Sequence, residues 1–332
     1  MKFELSLIFV IYNDFRLLEQ SLPTVLEQKN IEKEIIIIDN KPSEESQKTI
    51  KKLLYKITDC TVNYYPMEKN LGYSGGANFG IEKSKYKNVA ILNADIMLTE
   101  NYCEKILEAI YINNKIAGAT GKILKYDFNN NVPTNIIDTT GIMLERNLKA
   151  FDRGQGEVDQ GQYDKIINVF GICGAIAIFK KNILQDLSIN KEYYDEDFIA
   201  YKEDVDLCWR INKNAYHFIY VPDAIAYHGR ALGKINDGTL IGTIRKRRNQ
   251  SPYLRELSLS NQRSMVIKNL DTQTLISDFI PIYLRWNLEF FFSVIFEPLV
   301  YIRSWRRTLV SLKKMIEKRK KIERKRSVRI AR

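Results

Sequence analysis

The densest concentration of chemically capable side chains lies between Tyr194 and Arg210. Tyr194-Asp195-Glu196-Asp197-Phe198 is followed by Tyr201-Lys202-Glu203-Asp204-Val205-Asp206-Leu207-Cys208-Trp209-Arg210. A chain of net charge +11 needs a cause to crowd carboxylates this way. One cause is chemistry, because a carboxylate held in a partly apolar cleft can act as a general base. Another is a helix N-terminus, whose dipole favours acids. Asp206 and Arg210 stand four apart, which suits an intrahelical ion pair, and Asp206 is read as that structural partner.

Further polar residues stand where apolar runs stop. Asp39-Asn40 follows Ile35–Ile38, and Asn93-Ala94-Asp95 follows Val89–Leu92. His228, one of two histidines, comes shortly after Phe218-Ile219-Tyr220-Val221. A strand-end carboxylate can accept the imide N–H of a uracil or thymine. A second carboxylate with an imidazole can hold a divalent metal. The stretch Asn70-Leu71-Gly72-Tyr73-Ser74-Gly75-Gly76-Ala77-Asn78-Phe79-Gly80 can offer backbone N–H groups to a diphosphate if it opens a helix. Each also has a plainer use. Asp39 or Asp95 could cap a helix, Gly75 and Gly76 could permit tight packing, and a lone histidine is most often a loop residue.

Positioning these groups at one place requires a particular scaffold. Leu5–Ile11 and Ile35–Ile38 are continuous apolar runs, the mark of buried parallel strands, with Val62–Tyr65 and Val89–Leu92 as third and fourth. Helices fit between them, the first capped by Asp14 and bent by Pro23. Strand–helix alternation predicts a parallel α/β sheet with ligands at the carboxyl ends of its strands. Later, Ile136–Leu144 reads as a hairpin arm and Asp152–Asp164 as a mobile loop. Val169–Phe179 reads as a strand with Gly171 and Gly174 inside it, and a last strand ends at Pro222. Gly233–Arg248 reads as a flexible loop.

Composition sets the remaining bounds. The 332 residues suffice for one large domain or two modest ones. Cys60, Cys103, Cys173 and Cys208 have neither metal nor redox spacing and read as reduced core thiols. No charged region followed by an apolar run and a cleavage site opens the chain, so no secretory signal is expected. Residues 303–332 carry +12 of the charge and residues 1–302 carry −1. A nearly neutral body argues against a nucleic-acid enzyme. Leu275–Ile302 is rich in bulky apolar residues but interrupted by Asp278, Arg285, Glu289 and Glu297. An amphipathic surface helix followed by a polybasic tail is expected, docking on an anionic membrane.

With those residues placed, the chain resembles the family 2, GT-A type glycosyltransferases, and within them the bacterial rhamnosyltransferase-like group. The resemblance rests on Phe9-Val10-Ile11-Tyr12-Asn13, Ile38-Asp39-Asn40, Asn70–Gly80, Leu92–Asp95, Gly171-Ile172-Cys173-Gly174-Ala175, Tyr201–Arg210 and Val221-Pro222-Asp223-Ala224 with His228. It implies a Rossmann-like mixed sheet flanked by helices, with a helical, membrane-associating C-terminal extension. The catalytic domain would span 1–232, with its nucleotide half at about 1–121 and its acceptor half at about 122–232. A loop and amphipathic region at 233–302 and a basic tail at 303–332 would follow.

The resemblance also implies roles. Tyr12 lies against a pyrimidine ring and Asp39 bonds its N3. Asn40, Asn70, Gly72, Gly75, Gly76, Asn78, Asn93, Gly174 and Glu203 line the substrate site. Asp95 and His228 hold Mg2+ or Mn2+. Asn93, at the first position of what is often Asp-x-Asp, would weaken that hold. Asp204 is the base, and Glu203 beside it raises its pKa. The expected reaction is inverting transfer from a nucleoside-diphosphate sugar, with dTDP-L-rhamnose favoured. UDP-galactofuranose, UDP-N-acetylglucosamine and UDP-glucose stay open. The acceptor is a lipid-linked saccharide at the cytoplasmic face of the bacterial inner membrane, as in O-antigen or other cell-surface polysaccharide assembly. A nucleotidyltransferase is the competing enzyme class, but Asn70–Gly80 lacks the lysine or arginine it would use. A tail-driven scaffold is the competing non-enzyme.

Overall fold

A computed structural model describes residues 2–128, 130–229, 242, 244 and 247–330. The expected loop at 233–248 lies largely outside the described residues. Phe3–Ile11 forms β1, whose core positions are buried on both faces because helices cover both sides. Leu7 and Phe9 pack with one cluster, Ile8 and Val10 with the other. The first half continues with α1 (Leu18–Leu26), β2 (Ile31–Asp39), α2 (Glu44–Leu54), β3 (Thr61–Pro66), α3 (Gly72–Lys83) and β4 (Asn88–Leu92). Strands β1, β2, β3 and β4 are parallel neighbours, as the apolar runs predicted. Ser43 caps α2, accepting from Ser46 N–H while Ser46 Oγ accepts from Ser43 N–H.

The second half adds β5 (Ile96–Leu98), α4 (Tyr102–Tyr111), β6 (Ile116–Asp127), β7 (Val132–Thr139), β8 (Ile142–Leu144), β9 (Ala150–Asp152), β10 (Asn168–Val169), β11 (Ile176–Lys180), α5 (Lys181–Leu187), α6 (Glu203–Asn212) and β12 (His217–His228). The sheet runs β10-β12-β6-β11-β4-β1-β2-β3, with β5 on β12 and β7 on β6. Because β11 is antiparallel to both β4 and β6, the sheet is mixed.

Four local expectations change. Asp14 does not cap the first helix: its carboxylate accepts from Tyr12 N–H at 2.7 Å instead. The run Val169–Phe179 is two strands, interrupted where residues 170–175 turn toward α6. Pro222 does not end the last strand, since a bulge between Val221 and Ile225 absorbs it and β12 continues to His228. Residues 152–164 are anchored, because Lys122 reaches both Asp159 and Asp164 at 3.0 Å.

The C-terminal third is α7 (Pro252–Asn269), α8 (Thr272–Ser277), α9 (Phe279–Phe296) and α10 (Pro298–Ile330). The basic tail expected at 303–332 is, through its described part, the continuation of α10, which packs along α7. The reason is charge. Buried Lys318 bonds Glu192 (2.9 Å), Asp195 (2.5 Å) and Asp197 (2.7 Å), while Lys268 of α7, also buried, bonds Asp195 and, at 2.8 Å, Asp206. Most acids of the 192–197 segment thus answer cations brought from far along the chain. α9 turns its charged residues inward, with Arg285 donating to Asn147 O (3.0 Å) and Glu289 3.6 Å from Arg263. Its Phe279, Ile280, Tyr283, Leu284, Leu288 and Ile295 face outward. By length and composition α9 is apolar enough to cross a membrane.

Candidate active site

Ile11, Asp39 and Pro66 are in register across the first three strands, and Leu92 pairs with Phe9. Tyr12, Asp39-Asn40 and Asn93-Asp95 therefore leave the sheet at one carboxyl edge. The Tyr12 ring is exposed, with the Lys41 ammonium 5.4 Å from its centroid. Asp39 is buried, accepting from Lys41 N–H (3.1 Å), Ser46 Oγ (3.0 Å) and Tyr64 OH (2.9 Å). Burial and the Asp39 carboxylate push the Tyr64 phenol up, so it stays a donor. A carboxylate has about four acceptor positions, which leaves room for one more donor. Burial also pushes the Asp14 carboxyl up, against its Tyr12 bond, and the charges of Asp95 and Asp39 act in the same direction. Asp14 thus shares a neighbourhood with both, a place its reading as a helix cap did not suggest.

Asp95 and His228 meet across β5 and β12, which pair at Ile96 and His228. The His228 Nε2 is 3.2 Å from Asp95 Oδ1 and 3.5 Å from the Asn93 amide nitrogen. Its Nδ1 is 2.8 Å from Asp138 Oδ2, a fully buried carboxylate of β7 that no motif marked. Burial alone would lower the imidazole pKa, but the hydrogen bonds and charges of Asp138 and Asp95 raise it to about 9. Asp138 also fixes the ring so that Nε2 faces Asp95, the usual arrangement behind a metal-ligating histidine. An oxygen and a nitrogen donor side by side fit a divalent cation. No group of three or more His, Cys, Asp or Glu is set to enclose a metal among the described residues. A cation here would draw its other ligands from a diphosphate or solvent.

Asp204 begins α6. Its Oδ1 accepts from Val205 N–H (2.7 Å) and its Oδ2 from Gly174 N–H (3.3 Å). Burial pushes its carboxyl up, opposed by those N–H groups and Lys202 and helped by Asp152. Glu203 is buried and its carboxyl is pushed up to about 8 by burial and by Asp204, and its Oε2 has no hydrogen-bond partner among the described residues. Both carboxyls are raised, but the charge acting between them is seen on Glu203, which Asp204 raises, while Asp204 is raised by burial and Asp152 rather than by Glu203 as expected. Residues 173–175 tie this helix start to the sheet edge: Asn93 N–H donates to Ala175 O (3.0 Å), and Tyr73 OH donates to Gly174 O (2.7 Å).

The turn before Asp204 is held under strain. Ile199, Tyr201 and Lys202 have φ of 61°, 69° and 72°, an unusual region for any L-residue and a true outlier for a β-branched one. Two contacts hold it. Tyr73 N–H donates to Ile199 O (2.8 Å), and the buried Asn261 amide of α7 lies 2.8, 2.8 and 2.9 Å from the carbonyls of Phe198, Ala200 and Tyr201. Asn261 was invisible to sequence reasoning because nothing local marks a polar residue on a helix sixty residues away.

The glycine-rich segment differs from expectation. Leu71, Gly72 and Tyr73 N–H groups already donate to Asn40 Oδ1, Asn70 Oδ1 and Ile199 O, so the helix start closes on the protein. Gly72 is required by its φ of +70°. Gly76 permits contact with the sheet, since a Cβ there would sit 2.7 Å from Val10, and Gly75 packs against Leu71. Asn40 spans from β2 to Gly72 O (3.0 Å). Asn78 is a clamp rather than a substrate contact: it donates to Tyr194 O and Glu196 and accepts from Tyr193 and Tyr194 N–H, which spends its amide.

Comparison with known proteins now bears on this edge. A family model described as glycosyl transferase family 2 matches residues 6–188. The chain is 24% identical over 225 residues to a poly-beta-1,6-N-acetyl-D-glucosamine synthase of Staphylococcus epidermidis, covering 67% of this chain and 49% of that protein. The synthase of Staphylococcus aureus strain COL matches at the same identity and coverage. The chain thus spans about half the length of the curated relatives it matches. Among solved structures, GalNAc-T7 with UDP, GalNAc and Mn2+ superposes with TM-score 0.60 at 15% identity, over 80% of this chain and 48% of that one. The mannosyltransferase PcManGT from Pyrobaculum calidifontis, in complex with GDP-Man and Mn2+, gives 0.52 at 12%, over 99% and 87%. Both share the fold.

Proposed function

Since the chain belongs to glycosyl transferase family 2 and is a glycosyltransferase, we propose that it moves a hexose, with inversion, from a pyrimidine nucleoside-diphosphate sugar to a lipid-linked saccharide. The observation that carries this reading is the meeting at one sheet edge of a buried carboxylate, an aspartate–histidine pair and a raised carboxylate, at Asp39, Asp95–His228 and Asp204. Asp39 accepts the N3–H of the base, and the exposed Tyr12 ring covers it. Asp204 takes the proton of the acceptor hydroxyl, whose oxygen bonds the anomeric carbon as the bond to the diphosphate breaks. A divalent cation, Mg2+ or Mn2+, held by Asp95 and His228 with Asp138 behind, would supply charge neutralisation for the departing diphosphate. A single essential carboxylate then suffices, unlike the pair a glycosidase needs.

Two donors head the test. The resemblance read from the motifs favours dTDP-L-rhamnose, and the names of the relatives favour UDP-N-acetylglucosamine. The outward apolar face of α9 continues into Leu299 and Ile302 of α10, beside Arg303 and Arg306. That combination supports peripheral docking on an anionic membrane, at the cytoplasmic face where lipid-linked acceptors are built. The deciding experiment measures binding and hydrolysis across a panel of dTDP-, UDP- and GDP-sugars with Mg2+ or Mn2+. The reading expects metal-dependent binding of a dTDP- or UDP-sugar. Binding of none, or only of purine sugar nucleotides, contradicts it.

A further inference from the structure

Asp204 is delivered by a turn that would not keep its shape alone. Ala200 N–H donates to Phe198 O at 2.6 Å, closing a three-residue turn about Ile199, whose φ and ψ are 61° and −60°. This is the rare, strained γ-turn, and a β-branched residue suits it worst. Tyr201 and Lys202 follow at φ of 69° and 72°, and Lys202 O accepts from Asp206 N–H (2.9 Å) to begin α6. The Asp204 side chain itself is lightly tied. Its Oδ1 takes the adjacent Val205 N–H, and the Gly174 N–H reaches its Oδ2 only at 3.3 Å. Where the carboxylate stands is therefore set by the backbone that carries it.

One helix grips that backbone on both sides of Asp204. Upstream, the buried Asn261 amide of α7 serves the carbonyls of Phe198, Ala200 and Tyr201, two N–H groups for three acceptors. Downstream, Lys268 and Asn269 of the same helix bond the two oxygens of Asp206, at 2.8 and 2.7 Å. The two grips differ in kind. Asp206 lies within a regular helix and also accepts from Arg210 (3.2 Å), so its place has support from α6 itself. The turn has less. Among the described residues the Ala200 and Tyr201 carbonyls accept from nothing but Asn261, and the other external tie is Tyr73 N–H on Ile199 O. Three carbonyl oxygens that converge on one point repel one another unless a donor stands between them.

We propose that Asn261 is a positioning residue for the transfer reaction: it gathers the 198–201 carbonyls, keeps the turn in its strained form, and so sets Asp204 within reach of the acceptor hydroxyl. This role rests on the reading of Asp204 as the base. Without the amide, the carbonyls turn apart and Ile199 relaxes to an ordinary φ. Either change moves the start of α6, and a misplacement of about 1 Å at a reacting group costs about a hundredfold in rate. Chemistry at the sheet edge thereby depends on a helix of the C-terminal third, the same helix along which α10 packs.

The test measures kcat and KM of the full chain with UDP-N-acetylglucosamine and with dTDP-L-rhamnose, as nucleoside diphosphate released in the presence of Mn2+. Binding of UDP and dTDP is titrated on the same preparations, so that kcat is expressed per binding-competent molecule. Asn261→Ala should lower kcat about 10–100-fold, while KM and nucleotide affinity stay within about twofold. Asn261→Asp, of the same shape but with an oxygen aimed at the carbonyls, should lower kcat at least as far. Arg319→Met removes a different contact between α10 and α7, to Ile267 O at 2.9 Å, and should leave kcat within about twofold. Ile199→Gly removes the strain, because glycine adopts that φ freely, and in its background Asn261→Ala should lower kcat less than about fivefold. Wild-type kcat in Asn261→Ala, the same loss with and without Ile199→Gly, or an equal loss in Arg319→Met would each overturn the proposal. Asp204→Asn separates the two readings: turnover kept there removes the base itself, whereas turnover lost there but kept in Asn261→Ala removes the positioning role alone.

Discussion

Two groups of acids within fifteen residues meet opposite fates. Asp195 and Asp197 are neutralised by Lys318, Lys268 and Lys314 from the C-terminal helices, and Lys268 and Lys318 hold the Asp195 carboxyl below its usual range against burial. Glu203 is buried and Asp204 half-buried, but the lysine beside them, Lys202, is itself pulled down by burial, and their carboxyls rise. Local sequence is similarly acidic in both. What separates a neutralised acid from a raised one here is whether a distant part of the chain brings it a cation. The first group holds the C-terminal helices against the strained turn at 199–202, and the second stands just beyond that turn.

Removing the cations should break the comparison most severely. Lys268→Met leaves Asp195 and Asp206 each short of a buried partner and should cost about 3–5 kcal/mol in denaturant unfolding. Lys314→Met, at a half-exposed pair, should cost under about 1 kcal/mol. Equal small losses would mean that the network does not secure the helices.

A smaller effect should appear in pH dependence. A carboxyl whose folded pKa lies near 8 rather than 4.5 binds its proton more tightly when folded. That contribution to stability is present below about pH 4.5 and declines as pH rises toward 8. Asp195, depressed, acts oppositely: its contribution is present above its ordinary range and falls away as pH drops below it. Glu203→Gln should therefore flatten the decline between pH 4.5 and 8 and stabilise the protein at pH 8 by on the order of 1–3 kcal/mol. An unchanged pH profile in unfolding would place the proton elsewhere.

Much of the candidate site's edge was legible because its signals are local. Apolar runs that stop on Asp39 and Asn93-Ala94-Asp95 announce parallel strands and their carboxyl ends, and His228 follows a strand. The misread features are long-range. Asn78 looks like a ligand in a glycine-rich stretch, yet its partners, Tyr193 to Glu196, lie more than a hundred residues away. Asp138 is one polar residue in a strand, and only folding sets it behind His228. The basic segment after Arg303 reads as a tail because the acids that bind it belong to another part of the chain.

The most direct measurement is turnover and nucleotide binding in Asp204→Asn, which keeps the side chain's shape and removes its proton affinity. Transfer should fall by about 10²–10⁴-fold while metal-dependent affinity for the donor nucleotide stays unchanged. Wild-type turnover in that variant would contradict the account, as would loss of nucleotide binding in parallel with activity.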